Sequence, residues 1–290
     1  MKVPVLHIQQ FRESKRLNEV YVNSFLHHME LNNGLINKPH SHDFYLCVFF
    51  LEGTGVHEID FKSYDIFPGR IFFMRPGQTH HWKFETQPEG FIFFHSRAFY
   101  DLNFLEHRLS DFPFYSSLQY PPVVEAPTEE LSSLAHMFEK ARLEYHGDKL
   151  LREIKILNLI NGIYINLSRI YTIDTNLSKL GSERYSFWLN RLEHLIEKHF
   201  RREKLPKFYA NRLNITTKHL NRVVKETTNK TTSEVISDRV VLESKRLLVH
   251  SPGNLTQIAY ELEFSDSTYF SKFFKAKTGM TPMAFRKKYT

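Results

Sequence analysis

The stretches YANRLNITTKHLNRVVKETTNKTTSEV, residues 209–235, and IAYELEFSDSTYFSKFFKAKTGMTPMAF, residues 258–285, are two versions of one pattern. Ala210 matches Ala259 and Leu213 matches Leu262. One extra residue in the second copy then brings Leu220 onto Phe270, Arg222 onto Lys272, Lys225 onto Lys275, Asn229 onto Gly279 and Thr231 onto Thr281. A register held over both stretches marks an internal duplication. Each copy reads as two helices around a short turn. A small residue (Ala210, Ala259) lets the second helix cross closely, and an apolar one (Leu213, Leu262) closes the first helix. The turns are Asn214-Ile215-Thr216 and Glu263-Phe264-Ser265, with an apolar plug in the middle. The second helix of each copy buries Leu220, Val223 and Val224, or Phe270, Phe273 and Phe274, and keeps its other face polar. Gly279 and Asn229 are suited to left-handed C-caps.

The polar faces carry the chemistry of DNA reading. Lys218, His219, Asn221 and Arg222 face outward early in one helix, and Ser267, Thr268, Ser271 and Lys272 do so in the other. Asn and Arg can make paired contacts with adenine and guanine edges, while Ser and Thr suit base or phosphate. Lys225, Lys275 and Arg286 (with Lys287) lie further along, where they suit phosphate contacts that position without specifying. Between the copies, residues 232–249 predict one helix with Val235, Ile236, Val240, Ser244, Leu247 and Leu248 on its buried side. At 1.5 Å per residue it spans about 27 Å. That approaches the ~34 Å of a DNA turn, so the two reading helices could enter successive major grooves.

With these residues in hand, residues 185–290 resemble the DNA-binding domain of the AraC/XylS family of bacterial regulators. IAYELEFSDSTYFSKFFKAKTGMTPMAFRK, preceded by RVVLESKRLL, follows the family signature almost throughout. Glu263 and Asn229 stand where glycine is usual, and Ser244 where alanine is common. The resemblance implies binding to asymmetric double-stranded promoter sites, often as a homodimer, with activation through RNA polymerase.

The N-terminal half has another character. FYLCVFFLEG, GVHEIDF, RIFFMRPG and GFIFFHS are short apolar runs separated by Gly and Pro turns, so residues 20–96 predict strands of an antiparallel barrel or sandwich. His57, Ile59 and Phe61 alternate with Glu58, Asp60 and Lys62, as in a half-buried strand. Residues 38–82 resemble the cupin-type sensor domain that many AraC relatives carry. A helix capped by Thr128 follows, with Leu131, Leu134, Ala135, Phe138 and Leu143 at helical spacing. A longer one begins near Lys149, with a stripe from Leu150 and Ile154 to Ile170. That stripe either packs on the barrel or forms a homodimer seam. The expected fold is therefore α+β and multidomain. It has a cupin-like sensor barrel at 1–127, a helical dimerisation element at 128–171, a linker at 172–184 and an all-α domain with two helix-turn-helix units at 185–290.

His40, His42 and His80 fall where metal-binding cupins place their histidines, but the carboxylate expected after His42 and the late ligand after His80 are missing. Three readings stand open: hydrogen-bonding residues at strand ends, a metal site, or a pocket for a small-molecule effector. In the last, Phe44, Tyr45 and Trp82 would supply walls beside His40, His42 and His80. The expectation is no metal and no cofactor.

Charge agrees with this division. Residues 182–290 hold 21 Lys/Arg against 11 Asp/Glu, whereas residues 1–181 hold 18 against 21. A polyanion partner is thus expected for the C-terminal part alone. Cys47 is the single cysteine, which excludes a disulfide framework. No run of 18 apolar residues and no signal-peptide pattern occurs, so neither secretion nor a membrane partner is expected and the cytoplasm is the expected compartment. There is no Ser/His/Asp or Cys/His set, no phosphate-cradling glycine loop and no paired carboxylates, so no catalytic residue is expected. A metal-dependent cupin enzyme with a DNA-binding tail, and a constitutive regulator without effector control, stand as the other two hypotheses.

Overall fold

A computed structural model describes residues 4–11, 17–104, 109, 112–115, 121–174 and 183–289. The chain separates into two compact units, residues 4–178 and 179–290. Of the expected linker, residues 175–182 lie outside the described residues, while residues 172–174 and 183–184 belong to helices.

The first unit contains β1 (Val5–Leu6), β2 (Val20–Ser24), α1 (Phe25–Ile36), β3 (His40–His42), β4 (Tyr45–Glu52), β5 (Gly55–Ile59), β6 (Lys62–Ile66), β7 (Arg70–Met74), β8 (Thr79–Phe84), β9 (Glu89–His95), α2 (Arg97–Asp101), β10 (Val123–Glu125), α3 (Leu131–His146) and α4 (Arg152–Asp174). The strands form two five-stranded sheets, ordered β1-β3-β8-β5-β6 and β10-β7-β4-β9-β2. Among the described residues, every pairing is antiparallel except β1 with β3. The expected barrel is therefore cupin-like but not closed into one continuous sheet. Its interior is aromatic: Phe25 of α1 meets Phe50 and Trp82, and Phe50 of one sheet faces Phe84 of the other. Gly90, at φ +147°, is required where β4 and β9 shift register, because a Cβ there would lie 2.0 Å from the Phe49 carbonyl oxygen.

Two expectations are corrected. Helix α1 occupies a segment expected to be strand. Its buried positions, Phe25, His28, Asn32 and Ile36, have helical spacing, but two are polar and hide the apolar period. Inside, these polar groups satisfy each other: Tyr21 Oη lies 3.1 Å from both His28 Nδ1 and Asn23 Nδ2, and Asn32 donates to the His28 carbonyl. Phe61 is not an inward strand residue either. Asp60 and Phe61 both have positive φ (48° and 68°) and form the two-residue turn joining β5 to β6.

Helices α3 and α4 cover the outer face of the second sheet. Phe138 packs against Phe49, Phe91 and Phe93. Tyr164 of α4 donates to His95 Nε2 at 2.8 Å, because His95 Nδ1 already donates to the Ser96 carbonyl, and Tyr115 Oη lies 2.8 Å from Tyr164 Oη. Leu157, Ile160, Ile163, Tyr164, Leu167 and Ile170 of the expected seam are buried within this unit, while Leu150 and Ile154 remain exposed. Cys47 is wholly buried, and burial pushes its thiol up from the usual range.

The second unit is all-helical: α5 (Glu183–His199), α6 (Pro206–Arg212), α7 (Thr217–Thr228), α8 (Thr232–His250), α9 (Leu255–Glu261), α10 (Ser267–Thr278) and α11 (Pro282–Tyr289). Helix α8 packs against α5, α6 and α7 on one side of the duplication and α9, α10 and α11 on the other. A capping box starts α8: Thr231 Oγ1 accepts from the Glu234 amide and Glu234 accepts from the Thr231 amide. Among the described residues, no helix is long and apolar enough to cross a membrane.

Candidate functional site

The two copies in the second unit repeat down to single hydrogen bonds. In the first, Pro206 opens α6, Ala210 is fully buried, and the Ile215 amide donates to the Ala210 carbonyl at 3.1 Å. In the second, the Phe264 amide donates to the Ala259 carbonyl at 2.9 Å. Thr216 caps α7 by accepting from the His219 amide, and Asp266 caps α10 by accepting from the Tyr269 amide. Asn229 (φ +55°) and Gly279 (φ +75°) end α7 and α10 in left-handed conformation. The turns also pass through left-handed residues, Asn214 (φ +54°) and Glu263 (φ +52°). Asparagine tolerates this conformation, whereas glutamate costs about 1 kcal/mol.

Helix α7 buries Leu220, Val223 and Val224 and exposes Lys218, Arg222 and Lys225. His219 is half-buried and accepts from the Arg222 guanidinium through Nδ1 at 2.9 Å, which pre-orients the arginine. Helix α10 exposes Thr268, Lys272 and Lys275, with Ser267 and Ser271 half-buried. Three sequence-chosen residues are engaged elsewhere. Asn221 Oδ1 accepts from the Thr232 amide at 3.2 Å and so helps to start α8. Ser271 Oγ donates to the Ser267 carbonyl. Arg286 donates to the Leu248 and Gly253 carbonyls, both at 2.7 Å, tying α11 to the end of α8, whereas a phosphate role was expected. Tyr269, 57% exposed in the first turn of α10, escaped the sequence reading because aromatic residues in this segment otherwise mark its core.

In the first unit, β3, β5 and β8 bring four histidines together. His40 pairs in register with His80, and their rings lie 4.3 Å apart. His42 lies 5.3 Å and His57 5.2 Å from the His80 ring. His57, not chosen from the sequence, shares a 3.0 Å hydrogen bond from Nε2 to His80 Nδ1. Trp82 stands edge-on to His80 at 4.6 Å, and Phe44 stacks on His42 at 4.4 Å. Tyr45 belongs elsewhere. It stacks with His95 and meets Tyr115 on the face covered by the helices, so it is no wall of this cluster.

Local backbone fixes two tautomers. His40 Nδ1 donates to the Lys38 carbonyl and His42 Nδ1 to the Phe44 carbonyl, both at 2.8 Å, so each Nε2 carries a lone pair. The buried atoms His42 Nε2, His57 Nδ1, His80 Nε2 and Trp82 Nε1 have no hydrogen-bond partner among the described residues. Burial, then the neighbouring histidines, pushes the histidines down: His42 to about 3, and His57 and His80 well below the usual range. Burial also brings His40 to about 4. The cluster is neutral at physiological pH; because one of His57 and His80 donates to the other, their outer nitrogens are one donor and one acceptor, beside the His42 acceptor and the Trp82 donor. A metal does not fit: His57 and His80 direct ring nitrogens at each other, and among the described residues no group of three or more His, Cys, Asp or Glu is arranged to hold an ion.

Comparison with known proteins matches both regions. Residues 209–288 match a helix-turn-helix domain and residues 33–160 match the AraC-like ligand binding domain. The chain resembles AraC-type regulators over both regions. It is 26% identical over 261 residues to the HTH-type transcriptional activator RhaS of Escherichia coli O81, covering 85% of this chain and 86% of that one. RhaS of Citrobacter koseri is 24% identical over 263 residues, with the same coverage. Among solved structures, ToxT from Vibrio cholerae aligns with 94% of this chain and 99% of its own at 13% identity and a TM-score of 0.44. The C-terminal domain of AraT from Geobacillus stearothermophilus aligns with 37% of this chain and 88% of its own at 24% identity and a TM-score of 0.35.

Proposed function

We propose that the protein is a sequence-specific, effector-controlled transcription regulator that reads promoter DNA with α7 and α10. The observation that carries this reading is the repeated geometry of two capped helices, each with a buried apolar face and exposed Lys, Arg or Thr. Lys218, Arg222 and Lys225 serve the first box, and Thr268, Lys272 and Lys275 the second. The small-molecule effector is assigned to the neutral cluster of His40, His42, His57 and His80, with Phe44 and Trp82 as walls. The unpartnered ring nitrogens and indole N–H support hydrogen-bonded recognition there. A homodimer through the α3–α4 hairpin is supported by the exposed Leu143, Leu150, Leu151 and Ile154. RNA polymerase is the further partner the family implies, and the cytoplasm, where promoter DNA lies, is the expected place of work.

The test is binding of the purified protein to fragments of its own upstream region. A footprint with salt-dependent affinity is expected, and affinity no better than for unrelated DNA would end the reading. Arg222→Ala should cost about 1–3 kcal/mol and relax one base position. Lys225→Ala should weaken all sequences alike and lower the salt slope by about 1.

A further inference from the structure

One lysine joins the two reading heads. Lys204 lies in the loop between α5 and α6, within the first helix-turn-helix half. Its ammonium donates to the Arg201 carbonyl in its own loop, to the Leu262 carbonyl at 2.9 Å and to the Glu263 carbonyl at 3.4 Å. It also lies 4.6 Å from the centre of the Phe264 ring. Leu262 closes α9, and Glu263 and Phe264 begin the turn of the other half, which sets the angle between α9 and α10. The lysine charge therefore sits at the negative, C-terminal end of α9, where cations are favoured. Burial lowers the Lys204 ammonium from its usual range, with Glu263 and Glu203 opposing that shift. Arg201, three residues earlier, supports the same junction through Glu243 of α8 at 2.8 Å and Glu261 of α9 at 3.9 Å.

The site of this contact has a specific need. Glu263 holds φ +52° without being glycine, so the second turn is less secure than a glycine turn. The group that secures it comes from the first half.

We propose that Lys204 is a positioning residue that fixes the angle of α10 relative to α7, so that the two heads fit boxes at one spacing. The proposal rests on the two-headed reading above. Two linked heads bind more tightly than either alone only when their geometry permits both to engage. Releasing the clamp should leave each head folded and reading while loosening their mutual alignment.

The probes are duplexes that the wild-type chain selects from a random pool, reduced to one box or carrying one inserted base pair between boxes. Lys204→Met keeps the aliphatic stem and removes the donors. It should bind the paired site about tenfold more weakly, bind a single box as wild type does, and pay a smaller penalty for the inserted base pair. Lys204→Arg should restore the spacing penalty. Adding Glu263→Gly to Lys204→Met should raise the melting temperature without restoring that penalty, and this double variant replaces the single one if the latter does not fold. The proposal is overturned if Lys204→Met keeps the wild-type spacing penalty, loses single-box binding equally, or is fully repaired by Glu263→Gly. Wild-type protein that binds one box as tightly as two overturns the two-headed reading itself, and this proposal with it.

Discussion

Lowering the pH from 7.5 to 5 should unfold residues 4–178 while residues 179–290 keep their helices. His28, His40, His42, His57, His80 and His95 all lie in the first unit and are all pushed below the usual histidine range, chiefly by burial. Such a histidine stays neutral when folded but takes up a proton near pH 6.5 when unfolded. The unfolded state therefore binds more protons as pH falls below 6.5, and stability drops until the folded value is reached, about 3 for His28 and His42 and about 4 for His40 and His95. At pH 5 each of these four groups costs about 2 kcal/mol. His28, His40, His42 and His95 together reach on the order of 8 kcal/mol, comparable with the whole stability of a domain, and His57 and His80 act in the same direction. Trp82 and Trp188 lie in different units, so fluorescence separates their transitions when each is replaced by Phe in turn. A Trp82 signal with the same melting temperature at pH 7.5 and pH 5 would refute the expectation.

Phe274→Ala should be the most damaging single change in the DNA-binding unit. Phe274 is fully buried, edge-on to Phe285 at 5.5 Å and tilted to Phe270 at 6.1 Å, so it joins α10 to α11. Truncation of a buried phenylalanine costs about 3–5 kcal/mol, through lost apolar burial and the cavity left behind. In a unit of this size the melting temperature should fall by roughly 15 °C or more. Calorimetry on the full chain reads the shift, and hydrogen exchange should rise first in residues 255–289. Binding to a paired DNA site should decline toward that of the first box alone. Phe274→Leu, which keeps most of the volume, should lose much less. An unchanged transition for Phe274→Ala would mean that α10 is not held by this aromatic ladder.

What could be read in advance depended on whether the signal was local. Helices α7 and α10 were legible because caps, small crossing residues and buried spacing all lie within a few residues and occur twice. The roles of Asn221 and Arg286 were not, since each is decided by a helix α8 atom that sequence spacing does not bring near. Tyr45 is excluded from the cluster by strand alternation itself, which keeps Phe44 on the side of His42 and turns Tyr45 to the opposite face, against His95 and Tyr115. His57 was visible as an inward member of a strand beside Ile59. Its link to His80 needed the β5–β8 register, which sets His57 opposite Trp82. Helix α1 was missed because its buried face is half polar.

Cys47 gives the molecule a built-in reporter. It is the one thiol in the chain, and it lies buried in β4 near Tyr115 and Tyr164 of α4 rather than at the surface. A thiol reagent can therefore label the protein only during those moments when the sensor unit opens, and the DNA-binding unit contributes no background. Alkylation rate measured with and without a metabolite thus becomes a screen for effectors that needs neither an operator nor a second label: a compound that tightens the sensor slows the reaction.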